Sequence, residues 1–191
     1  LGVIGAIKPW NFPFTIPIWT IAPAVLVGNS VVFKPSEYTP RMGKRIGELF
    51  RESGLPEHVL EIVYGADATG RSLVSSDVEM ISFVGSQSAG RDIMRSSADH
   101  LRKLALELGG KDPMIVCADA DFDAALAGAV SGSFRNAGQV CCSAERIFVE
   151  SEIFDRFVYA AAEKTRALKV GPGLDESSDM GPLICEDARQ R

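Results

Sequence analysis

The chain has 191 residues, 46% hydrophobic and 24% charged, with a net charge of −5, an ordinary composition for a soluble globular protein. The acidic excess falls in residues 111–191 and no basic stripe occurs, so nucleic acid is not expected as a partner. No apolar run approaches the roughly 18 residues that a membrane helix needs, and no signal peptide is visible, so no membrane partner is expected either.

In chain order, VIGAIK (3–8) reads as a strand and 14–27 as a helix, followed by the β-branched strand SVVFK (30–34). Thr39 as N-cap and Pro40 at the first helical position start the next helix. Its stripe Met42, Ile46, Leu49 and Phe50 keeps helical spacing, and Gly54 with Pro56 ends it. Then come a strand at 60–64, a short helix at 68–75, and the strand MISFVG (80–85) running into a helix at 86–98. KLALEL (103–108) and PMIVC (113–117) are two further strands. Asp121 caps a helix carrying Leu126, Val130 and Phe134, RIFVE (146–150) is a strand, and Ser151 caps a last helix with Ile153, Phe157, Ala161, Thr165 and Leu168. This alternation predicts βαβ units in an α/β fold, a Rossmann-like doubly wound parallel sheet. The pair Gly109-Gly110 and the change in charge place a domain boundary between 1–109 and 110–191. A start at Leu1, just before a strand, and an end at Arg191, inside a charged helix-like run, are expected of an interior piece of a larger protein.

Several familiar motifs fail. GSQSAG (85–90) has the GxxxxG spacing of a phosphate-binding loop, but Arg91-Asp92 stand where Lys and Ser/Thr are required. GxGxxG is absent. DADFD (119–123) imitates a calcium loop, yet Ala124 and Val130 occupy the positions of its Gly and Glu. Cys117, Cys141, Cys142 and Cys185 form no CxxC, and His58 and His100 are not at zinc spacing, so no metal site is expected. Cysteines used this way suit a reducing compartment, and a nucleophilic cysteine would need an activator other than histidine.

Five stretches remain: PWNFP (9–13), KPSE (34–37), FVGSQSAG (83–90), LELGGK (106–111) and GQVCCSAER (138–146). In this order and at these separations the chain resembles the aldehyde dehydrogenase superfamily over essentially its whole length. The resemblance implies most of an NAD-binding domain in 1–109, lacking its N-terminal part, and the first part of an α/β catalytic domain in 110–191. Cys141 matches the nucleophile, whose thiolate attacks an aldehyde to give a thiohemiacetal and, after hydride transfer, a thioester. Asn11 matches the amide that holds the developing oxyanion with the Cys141 backbone N–H, and Glu107 matches the general base. Lys34 and Glu37, with Ser36 between them, match the segment that grips the adenosine ribose. A carboxylate there accepts from both ribose hydroxyls and repels a 2′-phosphate, which implies NAD, with NADP as the alternative. Gly85 and Ser86 lie where a pyrophosphate meets a helix N-terminus, Gly65 and Gly70 on the adenine side, and Trp10 and Leu108 among the cofactor contacts.

The residues also allow other readings. An arbitrary cysteine is more often a small buried hydrophobe, Asn11 suits a turn, Ser86 suits a plain N-cap, and Cys142 reads as a packing neighbour. The expectation is therefore an NAD-dependent enzyme that oxidises an aldehyde to a carboxylic acid, as a cytoplasmic homo-oligomer, dimer or tetramer, with this chain inactive alone. The alternatives are a CoA-acylating aldehyde dehydrogenase, against which the presence of Glu107 argues, and a non-catalytic structural or binding relative.

Overall fold

β1 (Val3–Ile7) is the axis of the architecture. In the computed structural model, which describes residues 1–190, it pairs in parallel with β2 (Ser30–Lys34) on one side and β4 (Met80–Gly85) on the other. β3 (Leu60–Ile62) lies outside β2 and β5 (Lys103–Leu108) outside β4, a five-stranded parallel sheet in the order β3-β2-β1-β4-β5. Parallel neighbours require crossovers, and α1 (Thr15–Leu26), α2 (Pro40–Glu52), α3 (Asp67–Ser75) and α4 (Gln87–Ala98) supply the four of them.

The two-residue period of the strands divides their side chains between two cores. Ile4 and Ala6 of β1 join Val31 and Phe33 of β2 under Ile21 and Ala24 of α1 and Ile46 of α2. Ile7 joins Ile81 and Phe83 of β4 with Leu73 and Val74 of α3 and Ile93 of α4. The sheet is thus covered by helices on both faces, the doubly wound arrangement expected of the sequence. Phe33, Ile21, Ile46 and Ile81 are each fully buried; truncating any one of them to Ala is the kind of change that costs about 2–5 kcal/mol. From β1 the chain winds outward through β2 to β3, then returns to β4 and winds the other way. The strand order therefore reverses between β1 and β4, where an open α/β sheet has its crevice.

A second compact unit begins at Gly109, the first ending at Leu108. In it β6 (Asp112–Val116) pairs in parallel with β7 (Ala144–Val149), a separate two-stranded sheet rather than a continuation of the first. α5 (Phe122–Phe134) makes the crossover, α6 (Phe154–Arg166) follows β7, and α7 (Glu186–Gln190) is a last short helix. Val116, Ala129 and Phe157 form its core, with the Phe157 ring edge-on to Phe122 at 5.8 Å.

Two helix starts differ from expectation. Thr39 stands at the cap position of α2 but makes no side-chain cap bond, so Pro40 carries the start of that helix. Ser151 does not cap α6. Its carbonyl accepts from Phe154 in a turn, and the helix begins after Ile153, whose carbonyl accepts from Phe157. Ser86 and Asp121 cap as expected, their side chains accepting from the N–H groups of Ala89 and Ala124 at 3.2 and 3.0 Å.

Candidate functional site

The C-terminal edge of the five-stranded sheet holds a cavity of about 520 Å³ on the α3–α4 face. Ile7, Lys34 and Phe83 bring the ends of β1, β2 and β4 to it, Gly70 and Val74 come from α3, and Ser86, Ser88 and Ala89 open α4 onto it. The reversal of strand order makes this crevice, because neighbouring connections diverge there to opposite faces. The N-terminus of α4 adds the positive end of a helix dipole, which suits an anionic phosphate.

Of the residues proposed for a cofactor, Lys34, Gly70 and Ser86 line this cavity, Gly70 beside the Lys34 methylenes. The Lys34 side chain is 6% exposed; its ammonium donates to the Pro35 carbonyl at 3.2 Å and lies 3.5 Å from the Glu37 carboxylate. Glu37 itself is exposed, so the pair presents a fixed cation and a reachable carboxylate side by side. Ser36 is buried and its hydroxyl accepts from the Tyr38 N–H, holding the turn after β2. Gly65 has φ +146, and a Cβ there would collide with Thr69, so only glycine fits the bend into α3. Gly85 ends β4 against the Phe83 ring. Leu108 packs on Gly90 of α4, and Trp10 lies edge-on to Tyr38 at 6.5 Å. Among the described residues, Ser36, Glu37, Gly65, Gly85, Leu108 and Trp10 are not in the cavity lining.

The opposite face of the same edge carries a polar group in an otherwise apolar surround. Lys8, directly after β1, is 3% exposed, and its ammonium donates to the Ser82 hydroxyl of β4 at 2.8 Å. Thr20 of α1 stands 3.5 Å from the same hydroxyl. Burial pushes the Lys8 ammonium down to about 8, and the Glu107 carboxylate opposes that shift. Glu107 is exposed near the end of β5, and Asn11 sits in the bend after Lys8, its side-chain oxygen accepting from the Phe12 N–H at 3.1 Å.

Cys141 lies in the second unit, on the loop between α5 and β7, and is exposed. The approach to it is strained. Asn136, Ala137 and Gly138 take φ of 52, 58 and 75, three consecutive left-handed residues of which only one is glycine. Side chains hold this shape. Gln139 donates to the Asn136 carbonyl at 2.9 Å while its own oxygen accepts from the Ile184 N–H at 2.9 Å. On the far side Ser143, 2% exposed, donates to the carbonyls of Gly132 and Ser133 at the end of α5. Partial desolvation, and then the adjacent Cys142, hold the Cys141 thiol above its ordinary range. The second unit thus displays Cys141 without activating it.

Three features escaped the sequence reading: Lys8, the left-handed run before Gln139, and Ser143 as an anchor. A lysine ending an otherwise apolar strand, VIGAIK, was the available signal for the first. For the other two there was none, since Asn-Ala-Gly and Ser fit many loops.

Comparison with known proteins places this geometry. The sequence model described as "Aldehyde dehydrogenase family" matches residues 1–191. A probable succinate-semialdehyde dehydrogenase [NADP(+)] of Sinorhizobium fredii is 44% identical over 194 residues, spanning 100% of this chain and 40% of that protein. Human 4-trimethylaminobutyraldehyde dehydrogenase is 43% identical over 185 residues, 96% of this chain and 37% of that one. Among solved structures, betaine aldehyde dehydrogenase from Staphylococcus aureus in complex with NAD+ superposes with a TM-score of 0.96 at 39% identity, over 99% of this chain and 38% of that one. Lactaldehyde dehydrogenase from Escherichia coli gives 0.96 at 42% identity, over 100% and 40%. The chain spans about two fifths of the length of the curated relatives it matches.

Proposed function

The chain belongs to the aldehyde dehydrogenase family, and from that premise we propose that the protein oxidises an aldehyde to a carboxylic acid, with NAD as hydride acceptor and Cys141 as nucleophile. The observation that carries the reading is the display of Cys141 on a loop locked in left-handed backbone from Asn136 to Gly138, since such strain concentrates where geometry serves chemistry.

In this reading the first unit binds NAD and the second begins the catalytic domain. The cavity at the strand-order reversal fits a dinucleotide: the α4 N-terminus at Ser86 faces it for the phosphates, and the Lys34–Glu37 pair stands beside it for ribose hydroxyls. A carboxylate at Glu37 favours NAD over NADP, although a relative at 44% identity is named for NADP(+). When bound, the nicotinamide accepts the hydride. The chain's own residues do the rest. Cys141 attacks the aldehyde carbonyl to form a thiohemiacetal, which becomes a thioester as hydride leaves. The Asn11 amide and the Cys141 backbone N–H donate to the oxyanion, and donors of that kind contribute about 3 kcal/mol each to the transition state. Glu107 takes the proton, first from the thiol, which starts above its ordinary range, and later from the water that hydrolyses the thioester. Ser36, Gly65, Gly70 and Gly85 shape the cofactor side, with Trp10 and Leu108 among the cofactor contacts. Free thiols at Cys117, Cys141, Cys142 and Cys185 suit a reducing compartment, and the cytoplasm is the proposed location. A homo-oligomer, dimer or tetramer, belongs to the same proposal.

The test is NADH formation by the protein at its natural length, with NAD and a short aliphatic aldehyde and no CoA. Sustained production is expected. A burst of about one NADH per site that then stops would point to an acceptor other than water, and no NADH with any of several aldehydes would point to a non-catalytic relative.

A further inference from the structure

Two stretches far apart in sequence meet at the side chain of Gln139, just ahead of Cys141. Its amide nitrogen donates to the Asn136 carbonyl at 2.9 Å. Its amide oxygen accepts at 2.9 Å from the backbone N–H of Ile184, 45 residues further along the chain. A carbonyl can only accept and a backbone N–H can only donate, so the two partners fix which end of the amide points where. A primary amide meets both demands at once, whereas an ionised carboxylate of the same length meets only the second. We propose that Gln139 is a positioning residue for Cys141: its amide ties the loop that carries the thiol to the stretch 181–185, so that the thiol and the Cys141 backbone N–H keep one setting toward the carbonyl under attack. This rests on the reading of Cys141 as the nucleophile.

Both partners of that amide are themselves held. Asn136 is the first of the left-handed residues, and its side-chain nitrogen donates back to the Gln139 carbonyl at 3.4 Å. Ile184 follows a loop that is closed at its base. There the Asp179 N–H donates to the Lys169 carbonyl and the Lys169 N–H to the Asp179 carboxylate, each at 2.9 Å, and the Gly171 N–H donates to the Met180 carbonyl at 3.0 Å. From Gln139 the chain passes to Cys141 through Val140, whose N–H donates to the Gly138 carbonyl at 2.9 Å and whose carbonyl accepts from the Ser143 N–H at 3.2 Å. The far end of this exposed loop is anchored on α5 by the Ser143 hydroxyl. Gln139 anchors the near end, and unlike Ser143 it does so on a segment outside the α5–β7 connection.

The experiment uses the protein at its natural length, as wild type, Gln139→Met, Gln139→Glu and Cys141→Ser, with thermal melting to establish folding. It records the single-turnover rate of NADH formation, the KM for NAD, and the rates at which iodoacetamide alkylates Cys141 and Cys117. Methionine matches the length of glutamine and makes neither bond, while glutamate keeps the acceptor for Ile184 and loses the donor for Asn136. Hydride transfer needs an oriented thiol, whereas alkylation of an exposed thiol by a small reagent does not. In folded Gln139→Met the single-turnover rate should therefore fall by about tenfold or more, with the KM for NAD and the alkylation of Cys141 unchanged. Gln139→Glu should fall between that variant and wild type. A wild-type single-turnover rate in folded Gln139→Met overturns the proposal. So does alkylation of Cys141 that slows in step with turnover, since the effect is then on the thiol and not on its placement. Faster alkylation of Cys117 and Cys141 together marks a general loosening and overturns it as well. Should Gln139→Met not fold, a wild-type rate in Gln139→Glu overturns it, and failure of both to fold assigns Gln139 to the fold alone. Cys141→Ser separates the two claims: full turnover there removes Cys141 as nucleophile and the Gln139 role with it. Lost turnover there, combined with a wild-type rate in Gln139→Met, removes the Gln139 role alone.

Discussion

Two residues carry electrostatic situations that the rest of the fold must tolerate. The Lys8 ammonium is lowered from 10.5 to about 8 by burial. Between those two values the unfolded chain binds more protons than the folded one, so stability rises with pH across that window and the gain is lost as pH falls through about 8. The shift corresponds to about 3 kcal/mol. A Lys8→Met variant lacks this dependence, so the difference in melting temperature between it and wild type should shrink as pH climbs from 8 to 10.5, with the wild type catching up. A difference that stays flat over that range would mean that Lys8 is not the buried cation described. Cys142 has the opposite kind of influence on Cys141. Both its charge and its hydrogen bond raise the Cys141 thiol, after desolvation, so Cys142→Ala should lower it. Alkylation of Cys141 at neutral pH should then become several-fold faster, in proportion to the added thiolate fraction. Unchanged rates would make Cys142 an inert packing neighbour. The vicinal cysteines are thus a nucleophile candidate and its restraint.

At the scale of elements, the turn between α5 and β7 is where local preference and tertiary demand conflict. L-residues in the left-handed region cost about 1–2 kcal/mol each, yet Asn136 and Ala137 are held there beside Gly138. Two substitutions of the same size should therefore act in opposite directions. Gly138→Ala places a Cβ 3.2 Å from the Ser133 carbonyl oxygen at φ 75 and should destabilise by about 1–2 kcal/mol. Ala137→Gly relieves a left-handed alanine at φ 58 and should be neutral or stabilising. Thermal melts of the pair decide this; equal destabilisation by both would mean that the turn is not strained as described. Much of the helical level was legible in advance, because Ser86, Asp121 and Pro40 mark starts by chemistry local to the chain. Ser151 misled because a serine before an apolar stripe can cap a helix or close the turn ahead of it, and here Ile153 begins the helix.

Over residues 1–190, buried side chains are unevenly spread. The first unit has two extensive cores against the sheet, whereas three residues, Val116, Ala129 and Phe157, make up the buried cluster of the second. For the 191-residue chain by itself, amides of β1 and β4 should accordingly exchange with solvent more slowly than those of β6 and β7, since opening free energy follows buried contact density. Equal protection in a hydrogen-exchange experiment would contradict that ordering. No helix among the described residues is long and apolar enough to cross a membrane. The sequence by itself determined the strand–helix alternation, the doubly wound class and the family, because these rest on periodicity, caps and ordered motifs written along the chain. Only the tertiary structure decided that β6 and β7 leave the first sheet, that Lys34, Gly70 and Ser86 share one cavity, and that Lys8 is turned inward onto Ser82. Those outcomes depend on which strands pair and in what register, and pairing between distant segments is set by packing that no local pattern encodes.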